Sequence, residues 1–231
     1  MRVYVGTSGW MYSWNYGGNF DWYVKESRLN SVELNASFYR FPFPSQVKGW
    51  SRKGGHLRWS IKVNRLITHV YKFNEKAQST WQKFRHLFEP LDPYVDFYLF
   101  QLPPSFTSKH RDKIEAFYNF TELGKRFALE VRNESWFSEE HIKWAKEIGL
   151  TWVSIDAPEF SRDIFLTSNA IYLRVHGRNA WYSHDYSYEE LLEIVEKILK
   201  VKCEAAYVYF NNDHAMLKNA RTMLSLLKEA A

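Results

Sequence analysis

Apolar positions along the chain fall in short runs that alternate or continue, and a stretch of helical spacing follows almost every one. That is the pattern of a parallel sheet with helical crossovers. The most informative run is 30–42, NSVELNASFYRFP. Side chains alternate along a strand, so Val32, Leu34 and Ala36 would share one face and Glu33, Asn35 and Ser37 the other. With the apolar face against helices, the polar face must line an enclosed space. Strands are expected over 3–7, 31–37, 57–63, 95–101, 126–132, 151–156, 170–175 and 205–211. Eight parallel strands close a barrel.

Helices fit between the strands. Residues 75–89 place Trp81, Phe84, Leu87 and Phe88 at helical spacing, and Pro90 stops them. Ser138 caps a helix with Glu139 and Glu140 in its first turn and Gly149 as its stop. Ser187 and Glu190 form a capping box ahead of Leu191, Leu192, Ile194, Val195 and Ile198. A last amphipathic helix covers 215–228, whereas 158–166, after the sixth strand, has room only for a short helix. No linker or repeat interrupts the march. The expected fold is one α/β domain over 1–231, a TIM-type (β/α)8 barrel irregular around its sixth helix.

Composition narrows the classes. Hydrophobic residues make up 45% of the chain, enough to bury a substantial core, which argues against disorder. A net charge of +5, from 31 basic against 26 acidic residues, is small for a polyanion binder and equally serves solubility. One cysteine, Cys203, excludes an intrachain disulfide framework and a cysteine-cluster metal site, which points to a reducing cytoplasm. No apolar run reaches the length of a membrane span or of a signal peptide's core. No membrane partner is expected.

Candidate chemistry gathers where the strands end. The first ends in Gly6, Thr7, Ser8, Gly9 and Trp10, without the Gly-Lys-Ser/Thr of a phosphate loop. Later strands end in Lys62, Gln101, Glu130 with Arg132, Asp156, Arg174 with His176, and Asn211 with Asn212. Any one of these could be a satisfied structural group, but burying so many polar groups at one end is costly without a task. Glu33, Glu130, Arg132, Arg174 and His176 are the candidate catalytic set. Trp10, Tyr12, Asn35, Tyr39, Arg40, Lys62, Gln101, Asp156, Trp181, Asn211 and Asn212 are the candidate ligand-binding set. Forked guanidinium donors suit carboxylate and phosphate oxygens, so an anionic small molecule is the expected partner. Glu33 and Glu130 would be general acid and base if their surroundings separate their pKa values. The cofactor is left open. A divalent metal on Glu33, Glu130, Asp156, His176 or Asp213 is permitted but not required, since no His-Glu-x-x-His pattern occurs.

In these blocks the chain resembles the YecE-like proteins grouped under domain of unknown function 72. The resemblance is carried by GTSGW at 6–10, NSVELNASFYRFP at 30–42, IKVNRLITH at 61–69, QLPPSF at 101–106, ALEVRNESWF at 128–137, YLRVHGR at 172–178 and YVYFNN at 207–212. It spans essentially the whole chain and implies a TIM-type barrel with these motifs at its mouth, without a settled activity. Asn133 stands where many relatives have His, and the loop after Tyr12 departs from the usual spacing. The leading expectation is an enzyme acting on an anionic, phosphate-bearing small molecule by carboxylate acid/base chemistry. The alternatives are a metal-assisted phosphodiesterase or nucleic-acid-binding protein resembling endonuclease IV, and a barrel that binds a ligand without chemistry.

Overall fold

The computed structural model describes residues 1–230, in which eight strands alternate with seven α-helices. The strands are β1 (Arg2–Thr7), β2 (Ser31–Leu34), β3 (Arg58–Lys62), β4 (Val95–Gln101), β5 (Phe127–Glu130), β6 (Thr151–Asp156), β7 (Ala170–Val175) and β8 (Ala205–Phe210). All pairings are parallel and run β1-β8-β7-β6-β5-β4-β3-β2, the sequential order of a TIM-type barrel. The helices are α1 (Phe20–Glu26), α2 (Pro44–Lys53), α3 (Glu75–Leu87), α4 (Arg111–Thr121), α5 (Glu139–Ile148), α6 (Tyr188–Leu199) and α7 (Met216–Ala230).

Local chemistry sets the helix ends as the sequence predicts. Ser138 accepts from the His141 amide, and Gly149 ends α5 in the left-handed region. The Ser187–Glu190 capping box closes reciprocally at the start of α6. Two expectations need correction. The short helix after β6 does not form, because side chains pin that segment along the sheet. The Phe165 amide donates to Ser154 Oγ, and Thr167 Oγ1 accepts from Trp152 and donates to the Leu150 carbonyl. The strand over 31–37 stops at Leu34, and residues Ala36–Phe38 form a 3-10 turn. Ser37 Oγ there donates to the carbonyls of Leu34 and Lys62, a side-chain bond that competes with the ladder. Ala36 therefore lies exposed on the rim instead of sharing the apolar face of Val32 and Leu34.

The barrel is nearly closed. Between β1 and β2 a single isolated bridge, Ser8 with Glu33, replaces a ladder among the described residues. The seam is held by the Asn30 carboxamide, which accepts from the Val5 amide (2.9 Å) and donates to the Val3 carbonyl (2.8 Å). Gly6 lets the strands meet, since a Cβ there would collide with the Ser31 carbonyl. Inside the barrel, Tyr4, Phe97, Tyr172, Tyr207 and Tyr209 pack on one another, and Ser31 and Ser60 satisfy the hydroxyls of Tyr209 and Tyr172. A larger apolar core lies between strands and helices. No helix among the described residues is long and apolar enough to cross a membrane.

Candidate functional site

Above the tyrosine layer, inward positions at the strand ends carry charge. Glu33, Glu130 and Arg174 are completely buried, and their spacing makes Arg174 a bridge. Its Nη2 donates to Glu33 Oε1 (2.7 Å) and its Nη1 to Glu130 Oε2 (2.6 Å). Glu33 also accepts from Ser8 Oγ (2.6 Å) and the Tyr172 hydroxyl (2.7 Å). Arg132 donates through Nε to the other oxygen of Glu130 and through Nη2 to His176 Nε2 (3.2 Å). Arginine can only donate, so His176 Nε2 holds a lone pair and the proton sits on Nδ1. Asn211 Nδ2 stands 3.3 Å from Nδ1, and turning its carboxamide end for end brings the amide oxygen there to accept that proton.

These contacts fix protonation. Burial opposes the charge of Glu130, but Arg132, Arg174 and Lys62 outweigh it and bring the carboxyl down to about 2. Burial, reinforced by Arg174, Arg132 and Lys62, holds His176 well below the usual histidine range, so it is neutral. Arg174 is buried yet raised above the ordinary guanidinium range by Glu130 and Glu33. Glu130 is a fixed counter-ion shared by two arginines.

Lys62 behaves differently. It closes β3 on the same inward side and is only 6% exposed. Its ammonium lies 4.2 Å above the Phe38 ring and has no carboxylate partner among the described residues. Burial, then Arg174 and Arg132, bring its pKa down to about 7 against the opposing pull of Glu130 and Glu33. Of the buried charged side chains Glu33, Lys62, Glu130, Asp156 and Arg174, Lys62 is the one without an ion pair.

The other predicted residues separate into groups. Trp181 comes down from the loop after β7 onto the site, with the Arg132 guanidinium 4.5 Å from its ring and His176 beside it. Gln101 ends β4 half-buried with no side-chain partner among the described residues. Asp156 lies on the opposite face of β6 from the interior residue Val153 and does not reach the site. It accepts from Arg178 and from the Tyr186 hydroxyl (2.7 Å), anchoring the loop that carries Trp181. Asn212 anchors the same loop through the His184 carbonyl (2.7 Å) and Asn219. Trp10, Tyr12, Asn35, Tyr39 and Arg40 line a separate cleft of about 590 Å³ over the β1/β2 seam. Trp10 is buried against Phe20, Trp50 and Trp59 and forms its wall, whereas Tyr39 is exposed at its rim. Ser8 belongs to both cleft and network. Two network members, Ser8 and Tyr172, were absent from the predicted set. Tyr172 shares its strand face with Arg174 by period-two alternation, so that signal was present.

The residues do not fit a metal. No three of the described His, Cys, Asp or Glu side chains gather as a ligand set. Glu33 and Glu130 are taken up by arginines, His176 Nε2 faces Arg132, and Asp213 is half-exposed beside His214.

A TIM-type barrel with a buried carboxylate–guanidinium network under its carboxyl-terminal mouth is thus the class of protein defined by fold and site. Residues 4–231 match the model of the family described as protein of unknown function DUF72, and the chain belongs to that family. A DUF72 family protein from Thermotoga maritima is similar over 99% of this chain and 100% of its own, at 26% identity and a TM-score of 0.86. Another from Enterococcus faecalis shares 21% identity over 98% of both chains, with a TM-score of 0.82. D-psicose 3-epimerase from Clostridium cellulolyticum, at 12% identity and a TM-score of 0.64 over 99% of both chains, shares the fold alone. No curated protein sequence matches the chain.

Proposed function

We propose that the protein is an enzyme acting on a small anionic molecule, a phosphate or carboxylate, bound at the carboxyl-terminal mouth of the barrel. The observation that carries this reading is the unpaired Lys62. The buried network sets Arg132, Arg174 and Lys62 against Glu33 and Glu130, and both carboxylates are already held by arginines. An anion at the mouth would supply the missing charge and raise the affinity of Lys62 for its proton. Arg132, with Nη1 unpaired among the described residues, offers a second donor from the same side. Glu130, held at about 2, is too weak a base for proton transfer near neutrality and serves to align the two arginines. Lys62, at about 7, is matched to that task.

The test is a thermal-shift series with small phosphates and carboxylates, followed by turnover assays on those that bind. Ligand at a hundredfold its Kd stabilises by about 2.7 kcal/mol. That shift should vanish in Lys62→Met and persist in Lys143→Gln, whose side chain is exposed on α5 away from the mouth. Equal shifts in wild type and Lys62→Met would refute the reading. Nucleic acid remains the competing ligand because Tyr39 and Arg40 stand exposed on the rim. It predicts binding that weakens steeply with salt and does not depend on Lys62.

A further inference from the structure

We infer that Lys62 is a carbonyl-reactive amine, and that the anionic substrate class is an aldehyde or ketone bearing an acid group, held to the enzyme as an iminium on Lys62 Nζ. This rests on the reading that the mouth binds a small anion. It goes further by assigning the lysine a covalent step.

The geometry of the amine is the starting point. Lysine ammonium groups in protein interiors are ordinarily paired, because an unpaired buried charge is costly. Lys62 sits on the last inward position of a barrel strand, where ligands of this fold meet the protein. Phe38 covers one side of its nitrogen, and Ser37 fixes the Lys62 backbone through its carbonyl. The groups around it come from every neighbouring element. They are Arg174 and His176 on β7 and its loop, Glu130 and Arg132 on β5 and its loop, Glu33 on β2, and His69 on the turn after β3. Both histidines are held neutral, His69 at about 4 by burial, then Lys62 and Arg65. Two arginines therefore face the amine while the carboxylates spend their oxygens elsewhere, so a large share of Lys62 carries a free lone pair near neutral pH. Desolvation next to other cations is a general way of activating a lysine as a nucleophile.

The step balances without a cofactor. The Nζ lone pair attacks the carbonyl carbon, a C–N bond forms, and the C=O π pair moves to oxygen. One proton passes from nitrogen to that oxygen, giving a carbinolamine. The C–O bond then breaks, hydroxide takes up a solvent proton and leaves as water, and the nitrogen keeps one hydrogen as the cationic iminium. The charge at this position equals that of the ammonium form, so Glu33 and Glu130 need not rearrange. The acid group of the substrate would lie against Arg132.

Pyruvate and lactate form a matched pair of probes, alike in size and charge but differing in the carbonyl. Wild-type protein is incubated with each at pH 7, reduced with borohydride and mapped by peptide mass spectrometry. Borohydride adds hydride to the iminium carbon and leaves a stable secondary amine. An amine of pKa about 7 has roughly a thousandfold larger neutral fraction at pH 7 than one near ~10.4. Allowing for its lower intrinsic nucleophilicity, the adduct at Lys62 should exceed that at surface lysines by roughly thirtyfold. It should be absent with lactate and absent in Lys62→Arg. Lactate should compete with pyruvate for labelling. If both anions raise the Tm of the wild type and pyruvate labels Lys62 no more than the surface lysines, the covalent inference falls while anion binding stands. If neither anion shifts the Tm nor labels Lys62, this carbonyl-acid assignment falls, and the thermal series with other anions then decides the broader reading.

Discussion

At the amino-terminal end of the barrel Asp92 accepts from Arg85, Arg126 and Tyr98, and Asp96 pairs with Arg58 and Tyr207. At the carboxyl-terminal end Glu33 and Glu130 pair with Arg174 and Arg132, and Lys62 lies near them unpaired. Each end thus sets three cations against two carboxylates, and what differs is water. The lower arginines are 29–33% exposed, so solvent carries their surplus charge. Above, Glu33, Glu130 and Arg174 are wholly enclosed, and burial with the surplus charge lowers the pKa of the Lys62 amine to about 7. Equal charge counts therefore leave a solvated clamp at one end and a buried, unpaired amine at the other.

The harshest way to break that contrast is Arg174→Leu. It would leave the buried Glu33 without a cation and Glu130 with Arg132 alone, and removing one partner of a buried pair costs about 3–5 kcal/mol. We expect a loss of at least that size in equilibrium urea unfolding. A loss below about 1 kcal/mol would mean that water reaches Glu33 and Glu130 and that the two ends are alike.

Lys62 gives the next largest effect, and its sign can be worked out. The amine titrates at about 7 in the fold against 10.5 for the free side chain. Between those values the unfolded chain binds more protons than the native one, so stability should rise with pH across this window. The cost of the buried charge is full below about pH 7 and gone above the unfolded pKa. Lys62→Met removes this dependence, leaving the variant more stable than wild type at pH 6 by on the order of a few kcal/mol, at about 1.4 kcal/mol per pKa unit. The gap between the unfolding curves of the two proteins should narrow from pH 6 to pH 9 and close only above the unfolded pKa. Glu130 acts in the opposite sense. Its carboxyl is lowered to about 2, so its contribution is present above the unfolded carboxylate pKa and is lost as pH falls toward 2.

Gly6→Ala probes the seam on which Ser8 and Glu33 meet. The added methyl would strike the Ser31 carbonyl, and overpacking of this kind costs about 1–3 kcal/mol. Because the strain falls beside the bridge that positions Glu33, ligand affinity should drop along with Tm. An unchanged Tm would show that the seam yields.

Most of the fold was legible because periodicity reports burial directly. Eight strands, the Ser187 capping box and the Gly149 stop follow from patterns local in sequence. What was not legible depends on who meets whom across the barrel. The parity of the strand expected over 126–132 puts Glu130 and Arg132 on one side, but only the assembled sheet shows that Arg174, from β7, takes the second oxygen of Glu130 and one of Glu33. Asp156 looked like a site residue because it ends a strand, yet one position of parity turns it outward to Arg178 and Tyr186. Ser37 ended β2 early through bonds to carbonyls of two different strands, which no propensity encodes. Lys62 was legible as an inward cation, whereas its lack of a partner is a property of the whole mouth.

Asp96→Asn tests the solvated end and should have the smallest effect. Asp96 holds Arg58 and accepts from the Tyr207 hydroxyl (2.9 Å), but the arginine is a third exposed and regains water when the carboxylate is neutralised. Asparagine keeps the shape and one acceptor oxygen, so Tyr207 retains a partner. A pair this accessible is worth about 0.2–1 kcal/mol, and the loss should shrink further in high salt because mobile ions screen it. The enclosed network above should show no comparable salt dependence. Should Asp96→Asn cost as much as Arg174→Leu, exposure is not what separates the two ends, and the reactivity assigned to Lys62 would need a cause other than its exclusion from water.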